Sequence, residues 1–263
     1  EMCIRDSSSG ALPLRDADRL CIPQTCRSAH WWGWQLLNPA GVEHQWWSND
    51  VLGVVLDFAA FRSWLWGKAL QAGVELLPGR RVRLLRLDSD TAVVSIQGNA
   101  KASEERVCSH LVDATGARRV LLRQAGVEVD SSADPLLSGD GSEWLLQGND
   151  RTTARWRDRL SFILGSPWIP HGYGWVFPMH DHQLKVGVCR LAPPTRPRAS
   201  INTALKRLLS RCGLDELPVL DRHGGLVSST INRRETPGSG VLSAVGDSAS
   251  TANLLGGEGI RHA

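Results

Sequence analysis

The spacing of apolar residues changes several times along the chain. Within residues 57–73, apolar side chains recur every three or four positions, which predicts a helix that ends at Gly73. Short strand-like runs follow at Val74–Leu77, Arg81–Leu87, Thr91–Gln97 and Arg106–Asp113. A helix over residues 117–124 then ends at Gly126.

The second half of the chain has a different pattern. Strand-like runs at Glu143–Gln147, Gly172–Phe177 and Gln183–Arg190 are separated by turns rich in Pro and Gly. One helix is expected over Ser200–Arg211, where leucines recur at helical spacing before Gly213. Strands with a single helix predict an α+β layer between about residues 130 and 234.

Tryptophans are concentrated between residues 28 and 48, on both sides of the turn Asn38-Pro39-Ala40-Gly41. Pro and Gly at these offsets predict a hairpin of two strands. The five tryptophans of this segment are compatible with core packing, with an apolar ligand cavity and with contact with a membrane surface. The pattern alone leaves these alternatives open.

Composition excludes several classes of protein. A net charge of +3 over 263 residues gives no reason to expect nucleic-acid binding, and the arginines of residues 80–86 are typical of a solvated strand face. The six cysteines are scattered without a Cys-x-x-Cys pair, so we expect reduced thiols and a cytoplasmic protein. The apolar stretch Val51–Phe61 contains Asp57 and is shorter than a membrane-spanning helix.

The last residues of the chain carry the strongest chemical signal. An apolar strand leads into Gly246-Asp247, and Gly256-Gly257-Glu258-Gly259 then opens a helix. A carboxylate binds sugar hydroxyls, and the free N–H groups of a glycine-rich helix start favour an anion. We therefore expect a cradle for an anionic cofactor that contains a sugar. The alternative is an ordinary strand–turn–helix connection with an incidental aspartate.

Two other segments carry chemistry. The strand that ends at Asp113 runs into Ala114, Thr115 and Gly116, a small-residue turn before a helix, which is typical of a second nucleotide-facing element. Alternation along residues 172–178 places Tyr173, Trp175 and Phe177 on one face of a strand, where they would form either a flat apolar wall for a ligand or part of an ordinary sheet core.

These motifs resemble the geranylgeranyl reductase family, which belongs to the flavoproteins similar to p-hydroxybenzoate hydroxylase. The resemblance is carried by Gly246-Asp247-Ser248-Ala249, by Gly256–Ile260 and by the strand Tyr173-x-Trp175-x-Phe177-Pro178. It implies an α/β fold: a partial Rossmann-like FAD-binding domain, lacking the first βαβ unit, with an inserted α+β antiparallel-sheet substrate domain. The G-x-G-x-x-G loop that this class uses for the pyrophosphate is absent from the chain, so we expect a fragment truncated at both ends.

The resemblance also implies a division into domains. Residues 1–15 are expected to be a non-native or disordered lead, 16–50 a hairpin of the substrate domain, 51–126 the middle part of the FAD-binding domain, 127–235 the substrate domain, and 236–263 the Gly-Asp motif with the start of the last helix.

By the same resemblance, several residues are assigned to the cofactor. Asp247 would bind the ribityl chain of FAD, and the backbone of Gly246, Gly257, Gly259 and Ile260 would lie beside the flavin. Ala114, Thr115 and Gly116 would lie near the adenosine half, with Val82 against the adenine. One position departs from the family: Phe58 stands where an arginine commonly holds the cofactor, and Arg62, one helical turn later, is the candidate replacement.

The implied function is reduction of carbon–carbon double bonds in prenyl chains of the geranylgeranyl type, with FAD as cofactor and NAD(P)H or ferredoxin as electron donor. The substrate would be a prenyl-chain lipid or pigment, held by Tyr173, Trp175, Phe177 and Pro178, and its location implies peripheral contact with a membrane. We expect the fragment alone to hold FAD poorly and to be inactive.

Two alternatives and several open points remain at this stage. A flavin-dependent monooxygenase of aromatic rings typically has Asp-Gly where this chain has Thr115-Gly116, and the third hypothesis is a non-catalytic lipid-binding module. No residue is identified as the proton donor, because a lone histidine such as His223 or His262 is usually structural or exposed. The sequence His180-Asp181-His182 lacks a third ligand, so no metal site is expected.

Overall fold

The computed structural model describes residues 9–98, 103–127, 136–191, 200–230, 238–253 and 259–260. The strands are β1 Ala11–Pro13, β2 Arg27–Trp31, β3 Gly33–Leu37, β4 Glu43–Trp47, β5 Gly53–Leu56, β6 Arg81–Leu87, β7 Ala92–Gln97, β8 Ser103–Cys108, β9 Leu111–Asp113, β10 Leu136–Gln147, β11 Arg159–Leu164, β12 Gly172–Pro178, β13 Gln183–Leu191, β14 Val219–Thr230, β15 Gly238–Ser239 and β16 Leu242–Ala244. The α-helices are α1 Leu14–Arg19, α2 Phe58–Gln71, α3 Val120–Gln124, α4 Asp150–Thr153 and α5 Ile201–Cys212.

The chain divides into two compact units, and each is made of separate segments of the chain. We call the unit of Arg5–Gly67 and Gly139–Leu226 the large-sheet unit. The unit that contains Lys68–Ser138 and Val227–Ala263 is called the turn unit, because it contains both glycine-bearing turns.

A seven-stranded sheet in the order β14-β10-β13-β12-β11-β3-β4 dominates the large-sheet unit. Helix α5 packs on one face of this sheet, where its leucines 205, 208 and 209 join a core that includes Val176 and Val186. The hydroxyl of Ser200 accepts a hydrogen bond from the N–H of Asn202 at 3.3 Å, and Gly213 ends the helix with φ +69°. The helix expected over Ser200–Arg211 is therefore confirmed, with its first turn capped.

A three-stranded sheet in the order β1-β5-β2 completes the large-sheet unit. Its residues Trp31 and Val55 pack with Leu160 and Phe177 in a second core. Gly53 is required here, because a Cβ at this position would come within 2.4 Å of the Trp31 ring. The glycine in the central strand therefore leaves room for the Trp31 ring to pack in this core.

The turn unit contains two smaller sheets, ordered β6-β7-β8 and β15-β16-β9. Their shared core consists of Leu121, Leu122, Leu242, Ala244 and Ala249. Strands β16 and β9 are parallel, with Leu242 opposite Leu111 and Ala244 opposite Asp113. Residues that are about 130 positions apart in the chain thus become neighbours.

Several expected elements differ from the structure. Residues 74–77 form no strand, and the run Arg106–Asp113 is divided at Ser109-His110 into β8 and β9, which lie in different sheets. The helix expected over residues 117–124 is a short 3-10 helix, Gly116–Arg118, followed by α3, because Arg119 adopts a left-handed φ of 49°.

Two expected domain boundaries also differ. Residues 11–15, expected in the lead, form β1 and the start of α1, since β1 pairs with β5. Residues 51–67, expected with the FAD-binding domain, cluster with the large-sheet unit. Residues 1–8 lie outside the described residues. None of the described helices has the length and apolar character needed to cross a bilayer.

Candidate functional site

Two glycine-bearing turns lie side by side in the turn unit. Strand β9 leads into Ala114-Thr115-Gly116, and β16 leads into a short 3-10 helix, Gly246–Ala249. Because β9 and β16 are parallel and in register, both turns leave the same edge of the sheet. Ligands of open α/β sheets bind outside the carboxyl ends of the strands, so this edge is the candidate site.

The side chain of Asp113 holds this edge together. It is fully buried and accepts hydrogen bonds from two backbone N–H groups of α3, Leu121 and Leu122, both at 2.9 Å. The backbone N–H and the hydroxyl of Thr115 donate to its other oxygen at 2.9 and 2.6 Å. Burial alone would raise the pKa of Asp113, but these hydrogen bonds outweigh it and hold the pKa below its ordinary value.

Ser248 connects the two turns directly. Its hydroxyl lies 3.2 Å from a carboxylate oxygen of Asp113 and 3.0 Å from the carbonyl oxygen of Gly116. The Thr115 hydroxyl, in turn, accepts from the N–H of Val120 at 2.7 Å. Both hydroxyls are therefore engaged within the protein, and a ligand at this edge would meet mainly backbone and the side chain of Asp247.

The carboxylate of Asp247 is in the opposite situation to that of Asp113. It is partly buried, and no described residue donates a hydrogen bond to it or forms an ion pair with it. Burial raises the pKa of Asp247 above its ordinary value, with no hydrogen bond to offset the loss of water. Gly246 before it has a left-handed φ of 58°, which a glycine adopts without strain. Asp247 is thus a partly dehydrated acceptor that receives no side-chain hydrogen bond from the residues that the structure describes.

The other residues assigned to the cofactor are distributed as follows. Gly116 and Gly259 both face open space, since a Cβ built on either would meet no heavy atom within 4 Å. Ile260 is partly buried, and Val82 in β6 packs against the core of the turn unit. Gly257 lies outside the described residues. The structure brings the Ala114–Gly116 turn and the Gly246–Ser248 turn together, and the roles of these residues toward FAD stay predictions.

The aromatic residues of β12 form a continuous row in the large-sheet unit. The ring centroid of Trp175 lies 5.9 Å from that of Tyr173 and 6.4 Å from that of Phe177. Tyr173 and Phe177 are buried, at 9% and 3% exposure, and Pro178 is buried at the end of the strand. Burial raises the pKa of Tyr173 well above its ordinary value, so its phenol stays neutral. We call Tyr173, Trp175 and Phe177 the aromatic wall.

Sequence reasoning missed three contributors to these features. Phe162 in β11 extends the wall, with its ring centroid 5.4 Å from that of Phe177. Glu143 binds the indole N–H of Trp175, and Asp113 holds the glycine turns. The available signal for the two carboxylates was an acid in a strand segment with apolar neighbours, Asp113 in β9 and Glu143 in β10, since a buried charge needs a specific partner.

Arg62, the candidate replacement for the missing arginine, lies in the large-sheet unit. Arg62 is on α2, whose first turn is capped by Asp57: its carboxylate accepts from the N–H of Ala60 at 3.0 Å. Residues 57–67 belong to the large-sheet unit. The replacement of the family's arginine by Arg62 stays a prediction.

Comparison with known proteins adds the following. No model of a protein family matches the chain. Digeranylgeranylglycerophospholipid reductase 2 of Methanopyrus kandleri is 30% identical over 217 residues, which are 79% of this chain and 52% of that protein. The digeranylgeranylglycerophospholipid reductase of Methanosarcina acetivorans is 26% identical over 222 residues, 82% of this chain and 51% of that protein. The chain thus spans about half the length of these curated relatives.

Solved structures confirm the fold class. A geranylgeranyl bacteriochlorophyll reductase-like protein of Thermoplasma acidophilum matches with a TM-score of 0.78 and 20% identity, over 99% of this chain and 65% of that one. The p-nitrophenol 4-monooxygenase of Pseudomonas putida matches with a TM-score of 0.65 and 15% identity, over 97% of this chain and 67% of that one. The described residues therefore have the mixed α/β fold of these proteins.

Proposed function

From the confirmed resemblance of this chain to the geranylgeranyl reductase family, we propose that its full-length protein is an FAD-dependent oxidoreductase that reduces carbon–carbon double bonds of prenyl chains. The single observation that carries the cofactor assignment is the Asp247 carboxylate, which is partly buried without a donor among the described residues. A carboxylate in this state gains most from a ligand that brings hydroxyl groups.

The residues of the turn unit fit FAD. The ribityl chain of FAD carries hydroxyl groups, which can donate hydrogen bonds to the Asp247 carboxylate. Gly116 and Gly259 leave open space beside their backbones, so a ligand can approach the main chain closely. We propose that Ala114, Thr115 and Gly116 contact the adenosine half, with Val82 against the adenine. Gly246, Gly257, Gly259 and Ile260 would offer backbone atoms to the flavin.

FAD, when bound, supplies the hydride chemistry, and NAD(P)H or ferredoxin is the proposed source of electrons. The protein contributes binding and orientation. The Asp247 carboxylate accepts a hydroxyl hydrogen bond, while Asp113 keeps the two turns at a fixed separation through α3, Thr115 and Ser248. Such fixed turns lower the entropy cost of binding a long cofactor.

The aromatic wall is the proposed binding surface for the prenyl chain, with Pro178 at its end. Trp175, the partly buried ring of the row, offers apolar surface to a flexible hydrocarbon, and the buried rings of Tyr173 and Phe177 pack on either side of it. The relatives are named digeranylgeranylglycerophospholipid reductases, after a phospholipid with prenyl chains. This supports a lipid substrate for the full-length protein. Peripheral contact with the membrane that contains such lipids is part of the same proposal.

Turnover under anaerobic conditions tests the proposed reaction. The full-length protein is supplied with FAD, a chemical reductant and a lipid that carries geranylgeranyl chains, and the saturated product is measured by mass spectrometry. We expect saturation of prenyl double bonds without oxygen. Consumption of oxygen with a phenol, and no reduction of the prenyl chain, would instead support a monooxygenase and overturn the proposal.

Replacement of the central ring tests the wall. We expect Trp175→Ala to raise the KM for the prenyl substrate about 10-fold, because the variant loses roughly the apolar contact of one buried aromatic side chain. Flavin content should stay unchanged. The control is Trp66→Ala, which removes an exposed indole on α2. A KM that moves equally in both variants, or in neither, would argue against a specific role for the wall.

A further inference from the structure

A histidine–carboxylate pair is buried beside the aromatic wall. The side chains of Glu143 in β10 and His223 in β14 are 3% and 8% exposed, and His223 Nε2 lies 3.0 Å from Glu143 Oε1. His223 Nδ1 faces Asp221 Oδ2 at 3.4 Å. Because a carboxylate oxygen only accepts hydrogen bonds, a ring N–H of His223 is the donor to Glu143.

The second carboxylate oxygen of Glu143 is hydrogen-bonded to the aromatic wall. The indole Nε1 of Trp175 donates to Glu143 Oε2 at 2.6 Å, a short contact typical of a bond to a charged acceptor. Trp175 and Glu143 are not on adjacent strands, since β13 lies between β12 and β10. The hydrogen bond therefore spans two strand spacings across the sheet.

Gly187 makes this span possible. In the register of the sheet, Gly187 is opposite both Trp175 and Glu143, so the three residues form one row across β12, β13 and β10. A Cβ at position 187 would come within 2.1 Å of the Trp175 ring, which means that the indole lies directly over the glycine backbone. The indole plane is thus defined by Gly187 beneath it and by Glu143 at its N–H.

The pair has an energetic cost that a purely structural core would avoid. Buried ion pairs seldom stabilise a fold more than apolar residues of the same size, and loss of one partner leaves a buried charge without compensation. Lys185 is also buried on β13, where burial lowers its pKa and the nearby Glu143 carboxylate opposes that fall; its Nζ donates to the carbonyl oxygen of Leu56 at 3.1 Å. Buried polar groups concentrated beside an apolar wall indicate a function in holding that wall.

We propose that Glu143 and His223 are positioning residues for the prenyl chain: they fix the plane of the Trp175 indole and thereby set how tightly the aromatic wall holds the substrate. This inference rests on the proposed function. His223 acts through Glu143, because its ring nitrogen is hydrogen-bonded to the carboxylate that binds the indole and orients it. The pair therefore influences substrate affinity through the indole that it holds.

The test uses the full-length protein loaded with FAD and labelled with 5-fluorotryptophan. The fluorine resonance of Trp175 is assigned as the signal that disappears in Trp175→Phe. We expect Glu143→Leu to shift this resonance and to raise the KM for a geranylgeranyl lipid about 5- to 10-fold with kcat retained. Glu143→Gln keeps an acceptor oxygen, so we expect it to preserve most of both properties. His223→Gln is a milder change at the partner of Glu143, and we expect it to have an intermediate effect on both properties. It serves as the test variant if Glu143→Leu does not fold.

The matched control is Asp140→Asn, which removes a partly buried ion pair between Asp140 of β10 and Arg190 of β13, three residues along the strand from Glu143 and its row with Trp175. An unmoved Trp175 resonance in Glu143→Leu and His223→Gln would overturn the proposal, as would a shifted resonance with an unchanged KM. If the unmodified protein reduces no prenyl chain, the proposed function fails, and the resonance then decides separately whether the pair holds the ring.

Discussion

Replacement of Asp113 by alanine is expected to lower the free energy of unfolding by at least about 3 kcal/mol, the largest effect of any single change proposed for this chain. The variant leaves the N–H groups of Leu121 and Leu122 without acceptors in a buried environment. It also releases Thr115 and Ser248, so the two turns lose their common partner. Urea unfolding monitored by circular dichroism measures the loss.

The same side chain predicts a dependence on pH. The pKa of Asp113 is lower in the folded protein than its ordinary value near 3.8, so the unfolded chain binds this proton more tightly. Its stabilising contribution is complete above that value and is lost as the pH falls through the lowered pKa. Asp113→Asn, which retains one acceptor oxygen, should be less destabilised than the alanine variant and should flatten this acid limb. An unchanged acid limb in both variants would contradict the assignment.

Replacement of Asp247 by alanine is expected to weaken FAD binding by about 5- to 150-fold, the equivalent of about 1–3 kcal/mol for one lost hydrogen-bond partner. The carboxylate has no donor among the described residues, so none of these can replace the hydrogen bond to the cofactor. Isothermal titration of the full-length apoprotein with FAD measures the change. The control is Asp215→Asn, which alters an exposed carboxylate in the large-sheet unit.

Without cofactor, the effect of Asp247 on stability should have the opposite sign. Because burial raises its pKa, the folded apoprotein binds the proton more tightly than the unfolded chain does, and stability falls as the pH rises from about 3.8 through the raised pKa. Asp247→Asn removes this cost and should raise the Tm of the apoprotein at neutral pH while FAD affinity falls. A Tm and an affinity that fall together would indicate a structural role instead.

Elements with a strong local pattern could be predicted from sequence. Helix α5 has leucines at helical spacing between a serine cap and a glycine stop, and β12 alternates aromatic and small residues. The division of residues 106–113 into β8 and β9 could not be predicted, because the two strands find partners in different sheets. Strand β5 was missed for a related reason: it has only four residues, all buried, and is defined by its neighbours β1 and β2.

The candidate site, too, could be predicted from the sequence only in part. Motifs with glycine at fixed offsets pointed to the turns at Gly116 and Gly246, and the structure brings these turns together in the turn unit. The roles of Asp113 and Glu143 could not be predicted, because a single acid in an apolar strand gives no indication of its partner. Asp113 finds Ser248 135 positions later, and Glu143 finds His223 80 positions later. Such pairings depend on the folded arrangement.

The distance in sequence between Asp113 and Ser248 has a consequence for synthesis of the chain. All strands of the seven-stranded sheet lie before residue 231, whereas β16 and the Gly246 turn come later. During synthesis on the ribosome, the large sheet can therefore begin to fold before β16, the parallel partner of β9, has been made. Stalled or prematurely terminated translation near residue 240 should leave β9 without its partner strand and the Asp113 carboxylate without Ser248, a species that chaperones would need to protect.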